Sequence, residues 1–162
     1  MSARFSRLGV AALSLVAAGL ACRGDSPTDI RPVVPNTVTF GTASVTVAIA
    51  ATNAARAKGL MGVTTMAADS GMLFVFADDR QRAFWMKDTP IPLSIAFLDA
   101  NRRVIFVADM APYSTTPVGG FNVGPMRYAI EVKQGWFGAH GVTVGSTAAF
   151  TLPVGLVIEP DA

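Results

Sequence analysis

Cysteine is nearly absent: the chain has one, Cys22, so no disulfide can form within it and any fold must rest on its core. Histidine is equally scarce. His140 stands alone, and with no second His and no further Cys at ligand spacing the sequence offers no metal site. Only two glutamates occur, Glu131 and Glu159. There is no G-x-S-x-G elbow, no H-E-x-x-H, no phosphate-binding loop and no dinucleotide fingerprint. Nothing in the inventory calls for a cofactor. A basic excess is missing too, once the leader is set aside. Thirteen Lys and Arg face eleven Asp and Glu, and Arg4 and Arg7 lie in the first 21 residues, which leaves eleven against eleven. That balance gives no basic stripe for nucleic acid.

What is present begins with a leader. Arg4 and Arg7 precede a thirteen-residue apolar run, Leu8 to Leu20, which is short for a bilayer span and matches the hydrophobic region of a secretory signal. It ends at "GLAC". Residues 1–21 therefore read as a signal peptide that resembles a bacterial lipoprotein signal, with Cys22 as the lipidated first residue. An ordinary cleaved signal with an incidental Cys22 is the alternative. Residues 22–37, polar and proline-rich, read as a lipidated N-terminus and flexible linker. The expected address is the periplasmic face of an envelope membrane, the outer one on the strength of Arg23 after the cysteine. The "RGD" at 23–25 would then lie at the membrane.

Residues 38–162 read as a single domain, rich in β-structure. Glycine and proline, 15 and 10 residues in the whole chain, are spread along the chain, as suits short strands and turns. "SVTVAIA" (44–50) alternates with period two. "TNAARAKG" (52–59) predicts a short helix capped by Asn53 and closed by Gly59. "GMLFVFA" (71–77) is a continuous apolar strand, "DDRQR" (78–82) a charged turn and "AFWMK" a further strand. Residues 93–110 form two alternating runs around "DANRR", a hairpin. A long loop (111–125) leads to "RYAIEVK" (127–133), with Tyr128, Ile130 and Val132 on one side and Arg127, Ala129, Glu131 and Lys133 on the other. "GWFGAHG" predicts a helical turn, and 146–152 and 155–159 two closing strands. The expected fold is mainly β: a compact antiparallel sandwich or small barrel of about eight short strands with one or two short helices.

Four blocks then carry a resemblance: "ARAKGLM" (55–61), "GMLFVF" (71–76), "FWMKDTPIPLSIAFLD" (84–99) and "YAIEVKQGWFGAHGVTVG" (128–145). In that order they are similar to the bacterial and archaeal family known as domain of unknown function 192, over roughly residues 44–150. The resemblance implies a compact, mostly β domain, often exported, and brings no established activity. It also implies Asn at Asp88, Asp at Ser94, a Cys near Val118 and an acid at Ser146. This chain departs from the family at each of the four.

The "FWMKDTPIPLS" block is the natural place for a site. Pro90 and Pro92 lack N–H groups and restrict the residues before them, so the segment cannot run inside a fully paired ladder. One reading is packing: Trp85 closes the core with its indole N–H bonded, while Lys87 and Asp88 are solvated. The other is a shallow pocket with an aromatic wall of Trp85 and Tyr113, a floor of Met61 and Met86, and polar groups from Arg56, Lys87, Asp88 and Glu131. Glu131 is expected either exposed beside Lys133 or an arginine, or buried against Lys87 or Arg56. His140, at the end of a helical turn, is expected to satisfy terminal carbonyls. The leading expectation is a monomeric binding or accessory module for a small polar ligand, an envelope glycan or an envelope protein. A small hydrolase or lyase using Asp88 or Glu131 with Lys87 is the alternative, and a structural envelope protein without a ligand site is a third.

The leader generates its own prediction. Cys22→Ala is expected to move the expressed protein from the membrane to the soluble fraction, and intact mass of the extracted wild type to carry the added lipid. A Cys22→Ala form still held in the membrane contradicts lipidation.

Overall fold

In the computed structural model, residues 36–162 are described, and the signal, Cys22 and most of the linker lie outside them. Two antiparallel strands open the domain, β1 (Asn36–Phe40) and β2 (Ala43–Ala50). Helix α1 (Asn53–Lys58) follows. Its cap is Thr52, whose hydroxyl accepts from the Ala55 amide, and not Asn53 as the sequence suggested. Asn53 is already helical and its side chain is used elsewhere, by Arg56 and the Pro160 carbonyl. Strand β3 (Ser70–Arg80) runs through most of the predicted charged turn, and β4 keeps only Ala83–Phe84. The hairpin β5 (Leu93–Leu98) and β6 (Val104–Met110) forms as expected. Strand β7 (Val118–Gly119) lies within the long loop, and β8 (Met126–Lys133) leads into α2 (Trp136–Ala139).

The fold is mainly β, with eight strands and two short helices, as the sequence indicates. Six strands form one sheet in the order β1-β2-β3-β8-β5-β6, and β4 pairs with β7 in a separate ribbon. Every ladder is antiparallel except β2–β3, which is parallel because the chain crosses over through α1. The sheet is not closed strand to strand. Residues 147–149 span its two edges through single bridges, Thr39 to Ala149 and Arg103 to Thr147. These are what remains of the first predicted closing strand; 155–159 forms none.

Both faces of the sheet are buried, which explains the apolar run of β3 and the burial of every residue of β5, Ser94 included. Leu73, Val75, Ala96, Leu98, Ile130 and Val132 face one core, capped by Trp136, Phe137 and Phe150. Phe74, Phe76, Ile95, Phe97 and Ala129 face the other, with Met86 and Leu60 packed against them. That second layer is built from α1, the loop after it, the β4–β7 ribbon and the 85–92 strap. The strap is stapled down by its backbone. Met86 donates to the Ser114 carbonyl at 2.7 Å, Tyr113 donates to Thr89 at 3.0 Å, and Gly62 donates to Asp88 at 2.8 Å. Pro90 and Pro92 lie in this unpaired strap, as their missing N–H groups require.

The close contact of β3 with the central strand β8 is testable at Gly71. A Cβ there would collide with the Glu131 carbonyl and press on Val132. Gly71→Ala is expected to lower unfolding stability by at least about 2 kcal/mol in a denaturant titration. An unchanged midpoint contradicts that register.

Candidate functional site

A cleft of about 340 Å³ opens between α1 with its following loop, the end of β3, and the segment from Arg82 to Thr89. Its walls are apolar: Leu60, Met61, Phe74, Phe76, Phe84 and the half-exposed Trp85. Its polar groups come from four cations, Arg56, Lys58, Arg82 and Lys87, and from Asn53, Thr89, Glu131 and Asp161.

Glu131 lies in β8, the strand between β3 and β5, opposite Met72 on one side and Ile95 on the other. It shares the second face of the sheet with Ala129. The polar side that alternation suggested for this strand is therefore covered at its centre by the second layer. Glu131 is 4% exposed and lines the cleft, and no hydrogen bond or ion pair involves it among the described residues; its carboxyl opens on the cleft, since no fully occluded side-chain oxygen among them lacks a partner. Neither an exposed pairing with Lys133 nor a buried one with Lys87 or Arg56 forms. Burial disfavours the charged form and pushes its pKa from the usual carboxylate range up to about 8. Near neutral pH the group is chiefly a protonated acid, a hydrogen-bond donor at the floor of an aromatic cleft.

The arginines behave differently. Both guanidinium groups are more than nine-tenths buried. Arg56, from α1, donates to the carbonyls of Ala51 at 2.6 Å, Val75 at 3.1 Å and Glu159 at 2.8 Å, and to the Asn53 side chain at 2.5 Å. Arg82 lies over the Phe76 ring at 4.0 Å and donates to the Met126 carbonyl at 2.9 Å. It also bonds Asp78, whose carboxyl its hydrogen bond holds below the ordinary range. Asp161, from the C-terminal segment, meets both cations: Arg82 Nε and Nη2 at 2.9 and 2.6 Å, and Arg56 Nη2 at 3.4 Å.

Four of the residues singled out in the sequence, Arg56, Trp85, Lys87 and Glu131, thus line one cleft. Met61 joins them. Met86 does not: it is the residue of the strap that enters the core, 1% exposed, whereas Trp85 stays at the cleft with no partner for its indole N–H among the described residues. The tryptophan that closes a core with its N–H bonded is Trp136, which donates to Asp69 at 2.8 Å. Asp88 and Tyr113 are exposed and absent from the cleft lining. Asp88 adopts φ 53°, a left-handed conformation that Asn and Asp tolerate better than most residues. His140 stacks on Trp136, and its Nδ1 lies 2.8 Å from the Trp136 carbonyl. No group of three His, Cys, Asp or Glu side chains gathers in metal-binding fashion among the described residues. Sequence reasoning missed Arg82, filed under a charged turn, and Asp161, 79 residues away from it. Only its place beside the "AFW" run could have marked Arg82.

The sequence profile of the uncharacterized ACR family, domain of unknown function 192, matches residues 36–150. The chain belongs to this family. A crystal structure of a protein of unknown function from Novosphingobium aromaticivorans DSM 12444 is 32% identical, with a TM-score of 0.65 over 73% of this chain and 89% of that one. A crystal structure described as a putative transcription regulator from Sinorhizobium meliloti 1021 is 27% identical, with a TM-score of 0.66 over 71% and 91%. No curated protein matches this chain. The matched region covers the cleft from α1 through β8, while Asp161 lies beyond it. The Asn that the resemblance implies at position 88 would suit the left-handed backbone seen there. At position 94 the smaller Ser94 bonds Asp109 and accepts from the Gly135 amide at 2.8 Å, joining β5, β6 and the turn before α2.

The buried carboxyl sets a pH dependence of stability. Its folded pKa of about 8 exceeds the ordinary 4.5, so between those values the folded state holds a proton that the unfolded state has lost. Stability contributed here falls as pH rises through that window, by up to roughly 1.4 kcal/mol per pH unit. Glu131→Gln is expected to flatten the slope and to unfold at higher temperature than wild type at pH 9. Parallel melting curves from pH 5 to 9 contradict an unpaired buried acid.

Proposed function

We propose that this domain is a binding module for a small anionic ligand with a flat or apolar body, held in the cleft over Glu131. The observation that carries the reading is Glu131, a buried residue without a hydrogen-bond partner whose carboxyl opens on a preformed aromatic cleft. A polar group left unpaired in such a place costs stability, and a ligand acceptor would satisfy it. With Glu131 protonated, the lining has four cations against the single carboxylate of Asp161, so its field favours an anion. Trp85, half-exposed at the cleft, supplies a face for a ring or a sugar. The backbone staples of the 85–92 strap hold that face in place before binding and reduce the ordering cost. An acidic envelope glycan fragment meets all three requirements. With the anchor expected at Cys22, the module would present this cleft from the membrane surface into the periplasm.

One observation favours a catalytic alternative. A carboxyl that is still protonated near pH 7, in a cleft that also holds Lys87, is what a hydrolase or lyase needs as a general acid. In that reading Glu131 takes the role alone, since Asp88 is not among the cleft residues.

The test is titration with glucuronate-containing oligosaccharides and nucleotides, read by tryptophan fluorescence. Saturable quenching is expected, lost in Trp85→Ala and weakened at least tenfold in Glu131→Ala. Affinity is expected to fall above pH 8, as Glu131 ionises and repels the anion, and Glu131→Gln is expected to remove that fall. Binding untouched by both alanine variants places the ligand elsewhere and refutes the proposal. Release of a cleaved product during the titration selects the catalytic alternative.

A further inference from the structure

We propose that Arg56 and Arg82 form a carboxylate subsite at one end of the cleft, which Asp161 fills until a ligand carboxylate displaces it. The inference rests on the reading of the cleft as a ligand site and names the ligand group that this end would take.

The two guanidinium groups are fixed by partners other than Asp161. Arg56 is held by the carbonyls of Ala51, Val75 and Glu159 and by Asn53. Arg82 is held by Asp78, the Met126 carbonyl and the Phe76 ring. Removing Asp161 therefore leaves a shaped, positively charged recess and not two loose side chains. What Asp161 takes is the outward part of the donor array: Nε and Nη2 of Arg82 on one oxygen, with Nη2 of Arg56 near the other. Such a planar fork matches a carboxylate.

Asp161 is also the more accessible partner. Its side chain is 26% exposed, against 7% and 9% for the arginines. The C-terminal segment is pinned just before it. Glu159 donates its amide to the Ala51 carbonyl at 3.0 Å and accepts from the Asn53 amide at 2.7 Å, while Pro160 accepts from Asn53 at 2.9 Å. Exchange at the subsite thus needs only the Asp161 side chain to swing out, with Glu159 and Pro160 still in place. A carboxylate tethered this closely competes at an effective concentration of millimolar or above. Ligands that engage Trp85 and Glu131 as well can displace it at low concentration; a bare anion does so only at concentrations above that effective one.

Acetate isolates the subsite, because it is too small to reach Trp85 or Glu131 at the same time. It would be titrated into wild type and Asp161→Asn at constant ionic strength, with chloride as the balancing anion. The readout is the arginine Nε–H resonances, assigned through Arg56→Lys and Arg82→Lys. Saturable movement of the Arg82 signal is expected in Asp161→Asn, with acetate bound at least tenfold more tightly than in wild type. Equal, unsaturable shifts in both proteins overturn the subsite and leave the arginines as a structural clamp. Should Asp161→Asn fail to fold, the wild type still decides. High acetate must shift the Asp161 side-chain carboxyl carbon signal, and a stationary signal overturns the proposal. Loss of acetate binding with Trp85 quenching intact removes only the subsite. Loss of quenching with acetate binding intact removes only the broader ligand reading.

Discussion

The carboxyl of Glu131 is placed in the middle strand of a sheet that is buried on both sides. Most of what distinguishes this molecule depends on that placement. An ordinary strand at the centre of such a sheet would carry an apolar residue there, as β5 does at Ile95 beside it. The glutamate instead faces a gap in the second layer, where α1, the end of β3 and the 82–89 segment stand apart. The gap exists because the second layer is made of short pieces and not of a second continuous sheet. Its walls can therefore be aromatic and its rim cationic without disturbing the main ladder.

The cations of the rim fall into two kinds. Lys58 and Lys87 are exposed and free to meet a ligand as point charges. Arg56 and Arg82 are buried, stacked near Phe76 and bonded to backbone carbonyls, so they also brace the junction of α1, β3 and the C-terminal segment. Buried arginines need their donors satisfied, and a carbonyl-rich junction supplies most of that demand. The remaining donors point into the cleft, where Asp161 meets them. One pair of side chains thus serves the scaffold with one edge and the cleft with the other.

Much of the domain was legible in its sequence, for identifiable reasons. The β5–β6 hairpin was readable because two apolar runs flank a turn-rich loop, and α1 because alanines stand between a cap and a glycine. The gathering of Arg56, Trp85, Lys87 and Glu131 was one of two readings that the proline-bearing block left open, beside plain packing. What could not be read was non-local. Burial of the second face hides a side chain that alternation alone assigns to solvent, so Glu131 looked paired or exposed. The parallel β2–β3 pairing depends on which way the chain crosses after α1, and no residue pattern announces it. Trp85 and Met86 exchanged the roles that size suggests: Phe84 and Met86 turn towards the core while Trp85 and Lys87 turn outward. Asp161 lies 79 residues from Arg82 and farther still from Arg56, the two arginines it meets.

The departures that the family resemblance implies at positions 88, 94, 118 and 146 bear on which chemistry the cleft supports. Position 88 lies outside the cleft lining, and its left-handed backbone is what the structure asks of it; Asp satisfies that nearly as well as Asn. Position 94 is buried beneath the turn that carries α2, and there Ser94 links three elements through its hydroxyl. Val118 is half-buried in the β4–β7 ribbon, where it packs with the second core. Ser146 accepts from the Thr143 amide at 3.0 Å and closes a turn. None of the four substitutions removes a group from the cleft. A function that depends on the cleft can therefore be carried by this chain despite its departures, whereas one that required a second carboxylate at position 94 or a thiol near 118 cannot.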